Sequence, residues 1–376
     1  MNVLRRFTRI LAKATARELN YHFHRPEVLF IFLTYRCSSR CSTCTMWERE
    51  VTETELSLVE LKNIAESAKR CGVTYAEMFG GDALLRKDVL IPLVAHIKEI
   101  GIPTVNLTTN CNLMDEITAR ELVKAGLDIV YVSVDGVGEV DDRVRGVSGS
   151  FQRVKTGLQN LIRARGCRKA PEIIVNCTIS NLNVDKFEEV LFFAEDVGAD
   201  AVAFECVGEF SPEIVAHSKV DGVEPSPHFM NQGKSLLLNE AQARMMKEKL
   251  KKIKARKNKI RVFTTNIDVL KIENITRGIF SHKKCYVSRC RITVDPYGNL
   301  LPCSFFNNYH YGTIRTQPLR RIWNNDKHRN FLKHVAHKDM AMCEHCIVGV
   351  ERNSTFFESL KKGFFAFTKR GVDQKE

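Results

Sequence analysis

The chain has 376 residues, 44% of them hydrophobic and 27% charged, with a net charge of +13. That balance excludes wholesale disorder, and the longest wholly apolar run, Val28 to Leu33, is far too short to cross a bilayer. Thirteen cysteines with no secretory signal argue for metal or catalysis in a reducing cytoplasm, against a disulfide framework. The positive charge leaves nucleic acid, phosphorylated metabolites and anionic membrane open as partners, beside a merely solvated basic surface.

Residues 1–27 read as an amphipathic basic helix, with Val3, Leu4, Phe7, Ile10, Leu11 and Ala14 on one face and arginines over the rest. Six β-rich runs follow, at 28–35, 75–79, 103–108, 129–134, 173–179 and 201–206. Amphipathic helical patterns separate them at 58–70, 89–100, 115–125, 151–164 and 185–197. Thr or Ser opens the first of these helices and Gly72 stops it. Five strand-to-helix units feeding a sixth strand predict an α/β fold, a partial (β/α)6 barrel of the TIM type over 28–262. The segment 208–239 breaks the rhythm as a lid or insertion, and a basic helix is expected over 241–261. That helix lacks interleaved aromatics, which favours a solvated face over nucleic acid. Beyond it, 263–350 reads as a small α+β unit with a hairpin around Asp295 to Asn299, and 351–376 as a basic, aromatic tail. The two termini either lie on an anionic membrane surface, which would make the protein peripheral to the inner face, or dock on the barrel.

Cys37, Cys41 and Cys44 crowd one loop directly after the first strand, at the functional face of a parallel barrel. Three thiolates hold three corners of a cubane iron–sulfur cluster and leave the fourth iron open. A zinc knuckle is the competing reading, although no fourth ligand lies close in sequence. The C-x3-C-x2-C spacing resembles the signature of the radical S-adenosylmethionine (SAM) enzymes, whose partial barrel the six units also match. The resemblance implies a [4Fe–4S] cluster whose open iron binds SAM, reductive cleavage to a 5′-deoxyadenosyl radical, and hydrogen abstraction from a substrate. A flavodoxin or ferredoxin is the implied reductant.

The segment "MFGGDALL" looks like that family's Gly-Gly-Glu element, which contacts the methionine ammonium. This places Gly80 and Gly81 close to the ligand and Asp82, one methylene shorter than the usual Glu, on the ammonium; the glycines otherwise make a plain turn. Thr109, Asn110, Ser133 and Asp135 at later strand ends are candidates for SAM or substrate contact, with Asn176 and Ser180 fainter ones. Met46 and Trp47 shield the cluster or are ordinary core. Cys71, Cys111, Cys167, Cys177 and Cys206 read as buried apolar groups, and Glu205, Cys206 and Glu209 are also candidates for the barrel mouth.

Cys285, Cys290, Cys303, Cys343 and Cys346 form a second set. Their context resembles the SPASM/twitch extensions of radical SAM enzymes, which implies an auxiliary [4Fe–4S] cluster on Cys285, Cys303, Cys343 and Cys346, with Cys290 as a possible substitute. Five thiols favour the one-cluster twitch form. A structural zinc on four of them is the competing reading. The expected substrate is a small or lipid-linked, anionic biosynthetic intermediate that is oxidised or rearranged. The short stretch before the first strand disfavours a leader-binding peptide maturase. A non-catalytic iron–sulfur or zinc scaffold is the alternative of another class, and the Asp82 departure is what lends it support.

Overall fold

The computed structural model describes residues 25–51, 53–231, 233–264, 267–280, 285 and 287–348, together with Thr8 and Thr15. The expected N-terminal helix, apart from Arg25, Pro26, Glu27 and those two threonines, and the 351–376 tail lie outside the described residues. Among the described residues, no helix is long and apolar enough to cross a membrane.

The six expected strands form as β1 (Val28–Phe32), β2 (Tyr75–Phe79), β3 (Thr104–Thr109), β4 (Ile129–Ser133), β5 (Glu172–Ile179) and β6 (Ala201–Cys206). They run parallel and pair in chain order. Four more strands extend the sheet: β7 (Arg261–Phe263), β8 (Arg291–Val294), β9 (Asn299–Leu301) and β10 (Gly312–Thr313). The order β10-β9-β8-β1-β2-β3-β4-β5-β6-β7 leaves two edges, so the barrel is partial and open.

Two boundaries differ from expectation for local reasons. β1 stops at Phe32, three residues early, because Thr34 Oγ1 accepts the Arg36 backbone N–H at 3.1 Å and turns the chain. The basic helix ends at Ala255, where Asn258 Nδ2 donates to the Ile253 carbonyl at 2.8 Å, and Arg261–Phe263 becomes a strand on β6. Its cations are engaged across the surface: Lys249 with Glu188, Lys254 with Asp268 and Arg256 with Glu195.

Helix 58–70 shows how the units close. Ser57 caps it by accepting the Glu60 N–H while Glu60 reaches back to the Ser57 N–H, and Leu61, Ile64, Ala65 and Ala68 are buried on the sheet. Strand alternation sorts the rest. Leu29, Ile31, Met78, Leu107, Val132, Val175 and Phe204 join the main core, and Phe30, Glu77, Tyr131, Asn176 and Glu205 line the barrel interior.

The hairpin around Asp295 is present, with β9 antiparallel to β8. Asp295 Oδ1 accepts from the backbones of Tyr297 and Asn299, and Gly298 takes a left-handed φ of +94° in the turn. It does not stand apart as an independent unit, because β8 pairs in parallel with β1. The C-terminal region thereby extends the barrel sheet and walls its interior.

Gly157, in helix 150–165, packs directly on the backbone turn at Cys111. A Cβ there would lie 2.5 Å from the Cys111 carbonyl oxygen and 2.8 Å from its Sγ. Gly157→Ala is therefore expected to lower unfolding stability by about 1–3 kcal/mol, despite the better helix propensity of Ala. Urea denaturation followed by circular dichroism measures this, and unchanged stability would contradict the contact.

Candidate active site

The loop after β1 is clamped from three sides. Behind it, the Gly81 N–H donates to the Thr34 carbonyl and the Asp82 N–H to the Arg36 carbonyl. A Cβ on Gly81 would sit 2.2 Å from the Arg36 oxygen, and one on Gly80 would sit 2.5 Å from the Thr34 oxygen. The two glycines thus serve close approach of two backbones. On another side, Arg40 N–H and Ser42 N–H donate to the carbonyls of Arg145 and Val144. From above, the Thr45 N–H donates to the His228 carbonyl of the 208–239 segment.

Asp82 corrects one expectation. Its carboxylate is buried and turned into the loop, where it accepts from Ser38 Oγ (2.6 Å), Leu84 N (3.2 Å) and Thr109 Oγ1 (3.3 Å). It braces the cysteine loop and does not line the cavity in front of it, whereas Gly80 and Gly81 do. Asn110 completes the brace, donating to Ser38 Oγ at 2.9 Å and Ser39 Oγ at 3.0 Å.

Cys37, Cys41 and Cys44 share one cavity of about 210 Å³ with Met46, Trp47, Thr109, Asn110, Ser133 and Asp135. The Cys37 thiol is pushed up to about 11 and Cys44 to about 12, by burial first, with Cys41 adding to both and Cys37 adding to Cys44. Opposing this, donors converge on sulfur. Ser39 N–H and Asn110 Nδ2 approach Cys37 Sγ at 3.4 and 3.8 Å, Met46 N–H approaches Cys44 Sγ at 3.4 Å, and Arg145 Nη1 approaches Cys41 Sγ at 3.7 Å. Arg145 is itself balanced by Asp135 at 2.9 Å and Asp141 at 3.7 Å. Three half-buried thiols ringed by N–H donors fit a cationic iron–sulfur core, which would relieve their mutual repulsion and hold them as thiolates.

The second set also gathers. Burial raises Cys343 well above the usual thiol range, and Cys285, Cys346 and Cys303 add to the effect. Cys303 is raised to about 11, again by burial first and with Cys285 contributing. Cys290 instead ends the short helix Val287–Cys290, and its carbonyl accepts the Glu27 N–H at 2.7 Å. Among the described residues, no three His, Cys, Asp or Glu side chains converge on a position for one metal ion.

Behind the cysteine loop lies a larger cavity of about 520 Å³ inside the barrel. Phe79, Thr108, Asn176, Glu205, His228 and Phe229 line both cavities. Glu205 and Asn176 therefore stand where expected. Glu209 does not, and Cys206 takes the buried place expected of the isolated cysteines and not the barrel mouth. Strand alternation turns Cys206 outward into the core, 4.0 Å from the Met246 sulfur. Glu209 fastens the 208–239 segment, accepting from Asn231, Ser235 Oγ and the Leu236 N–H. Ser180 is buried in a turn closed by Asn183. Cys111 and Cys177 are buried, Cys71 is half-buried, and Cys167 is exposed, contrary to expectation, in the turn after helix 150–165.

Residues that sequence reasoning missed are as informative. Arg145 carried no pattern that marked it. Glu77 and Arg291 did carry one, since each is a charge inside a run otherwise built for burial. His228 is buried among Phe79, Phe229 and Phe305, and burial lowers its pKa to about 3, so the ring is neutral at ordinary pH.

An open parallel part-barrel with three cysteines at its carboxyl rim, joined to a second cysteine set, defines the radical SAM class of iron–sulfur enzymes. Residues 31–194 match the Radical SAM superfamily and residues 285–347 match SPASM, an iron–sulfur cluster-binding domain. The chain thus carries a radical SAM domain and a SPASM iron–sulfur domain, which imply SAM, its [4Fe–4S] cluster and auxiliary iron–sulfur as cofactors. It is 32% identical over 156 residues to the Fe-coproporphyrin III synthase of Methanosarcina barkeri, a match spanning 41% of this chain and 39% of that protein. It is 25% identical to a probable GTP 3′,8-cyclase of Sulfurisphaera tokodaii over 74% of this chain and 81% of the other. Streptococcus suis SuiB, solved with its precursor peptide SuiA, shares the fold with a TM-score of 0.62 at 15% identity, covering 91% of this chain and 75% of that one.

Asp82→Ala removes the brace on Ser38, Thr109 and Leu84, so its expected effect is on the loop. Iron retained at the first cluster should fall, with a stability loss of about 1–3 kcal/mol. Iron analysis and denaturation of the reconstituted protein check this. Full iron retention with weakened SAM binding would instead restore direct contact between Asp82 and the ammonium.

Proposed function

We propose that this enzyme removes a hydrogen atom from a small biosynthetic intermediate held in the barrel cavity, leading to net oxidation or rearrangement. The observation that carries the reading is the shared wall between the cavity of Cys37, Cys41 and Cys44 and the 520 Å³ interior cavity. That volume suits a small ligand. When bound, the cluster and SAM supply one-electron cleavage of a sulfonium and radical hydrogen abstraction.

This chain's own residues do the rest. Cys37, Cys41 and Cys44 would hold the first cluster, and Gly80, Gly81, Thr109, Asn110, Ser133 and Asp135 frame the space beside it. Cys285, Cys303, Cys343 and Cys346 would hold an auxiliary cluster, the mutual influence of their thiols favouring Cys285 over Cys290. Segment 208–239 brings His228 and Phe229 to the junction of the two cavities. Relatives named for a porphyrin and for a nucleotide show that the family admits different substrates, so the cavity selects.

Anaerobic reconstitution should load about eight irons per chain, and Cys41→Ala or Cys343→Ala should each remove about four. Wild-type protein with dithionite and SAM should form 5′-deoxyadenosine, and Cys41→Ala should not. A fully loaded wild type that leaves SAM intact would reduce the protein to an iron–sulfur scaffold.

A further inference from the structure

We propose that the barrel cavity takes an organic cation, an ammonium-bearing substrate whose charge is held by Glu77. The inference rests on the reading of this cavity as the substrate site and names the class of molecule it admits.

Glu77 occupies the middle of β2, with Ala76 and Met78 turned outward into the core. Its partners in register are Phe30 on β1 and Asn106 on β3. The side chain is 8% exposed and lines the 520 Å³ cavity. Among the described residues, its Oε2 has no hydrogen-bond donor and its carboxylate forms no ion pair. A carboxylate sealed in a protein interior without a counter-charge is strongly disfavoured, and such groups persist where a ligand completes them.

Among the described residues, one cation, the buried Arg291, lines the same cavity, and the nearby donors have partners of their own, although the Arg291 Nε finds no acceptor. Arg291 donates to Ser304 Oγ at 2.7 Å and lies 4.3 Å over the Phe30 ring. Arg261 pairs with Glu172 at 2.6 Å, and the Asn106 amide nitrogen donates to the Tyr75 hydroxyl. Two further acceptors face the same space. Glu205 lines it from β6, and His228 presents a buried Nδ1 that has no partner, its other nitrogen being bonded by the Ser304 backbone. Glu77 Oε2 and His228 Nδ1 are thus acceptors in this lining that a donor on the ligand would complete.

Aromatic rings form part of the remaining wall, among them Phe30, Phe79, Tyr131, Phe229 and Phe305. Such faces suit both an apolar body and a cation. A protonated amine on a carbon skeleton satisfies the carboxylate, the neutral imidazole and the rings together. An anionic substrate, which the net charge of +13 invites, would meet the carboxylates of Glu77, Glu172 and Glu205 against the one guanidinium of Arg291 among the described lining residues.

The test uses reconstituted full-length protein and four probes: benzylammonium, benzyl alcohol, benzoate and a lysine blocked at both ends. Binding is followed by saturation-transfer NMR and calorimetry. Benzylammonium is expected to bind at least about tenfold more tightly than benzyl alcohol and benzoate. Glu77→Gln should erase that preference, while its unliganded melting temperature stays level or rises because an unpaired buried charge is gone. Benzoate binding as well as benzylammonium does, or a preference that survives Glu77→Gln, overturns the proposal. The selectivity of wild type alone decides it should the variant fold poorly. Tighter binding of the blocked lysine assigns the ammonium to a peptide side chain, and weaker binding assigns it to a free amine. Wild-type SAM cleavage is read in parallel. Cleavage without ammonium preference sinks only the substrate class, whereas no cleavage sinks the enzymatic reading of the cavity.

Discussion

β1 is hydrogen-bonded on both edges, to β2 and to β8, and the rest of the molecule depends on that pairing. A strand held on one side can shift or fray, but one held on both has a single register. The loop bearing Cys37, Cys41 and Cys44 leaves this strand, so its starting point is fixed. β2 adds a second constraint through the Gly80–Gly81 backbone, which lies too close to Thr34 and Arg36 for any side chain. On the other edge, β8 carries Arg291 inward and leads into Ser304 and Phe305, so the C-terminal region walls the same cavity that the three-cysteine loop adjoins.

Charge balance governs what the rim can hold. Buried thiols resist ionisation, and here they are met by backbone N–H groups and by a buried arginine that two aspartates keep in place. The arrangement is nested: Asp135 also accepts the Thr178 N–H, which ties the end of β5 to the same network. A cluster seated among these sulfurs is therefore tuned by residues from β1, β4, β5 and the 139–145 helix together.

The electrostatics of the surface and of the interior run in opposite directions. The cations of helix 240–255 pair with acids at the periphery, while Glu77, Glu172 and Glu205 line the barrel. Net charge describes solubility and long-range attraction, whereas a closed cavity is governed by the few groups that alternate inward. Segment 208–239 belongs to that interior as much as to the surface, since Glu209 anchors it and His228 carries it over the junction of the two cavities.

The chain alone determined the alternating strands and helices, the hairpin around Asp295 and the two cysteine sets. Each depends on near neighbours: apolar periodicity, a capping box, a tight turn, thiols within one loop. What it left undecided depends on partners distant in sequence. The pairing of β8 with β1 joins residues some 260 positions apart in a common sheet. Asp82 has the composition of a ligand contact, and only its burial against Ser38 and Thr109 shows it to be a brace. Cys206 and Glu205 are adjacent, yet one faces the core and the other the cavity, because a strand reverses direction at every residue. Arg145 left no local trace at all, for its meaning comes from Cys41 and Asp135, which only tertiary packing sets beside it.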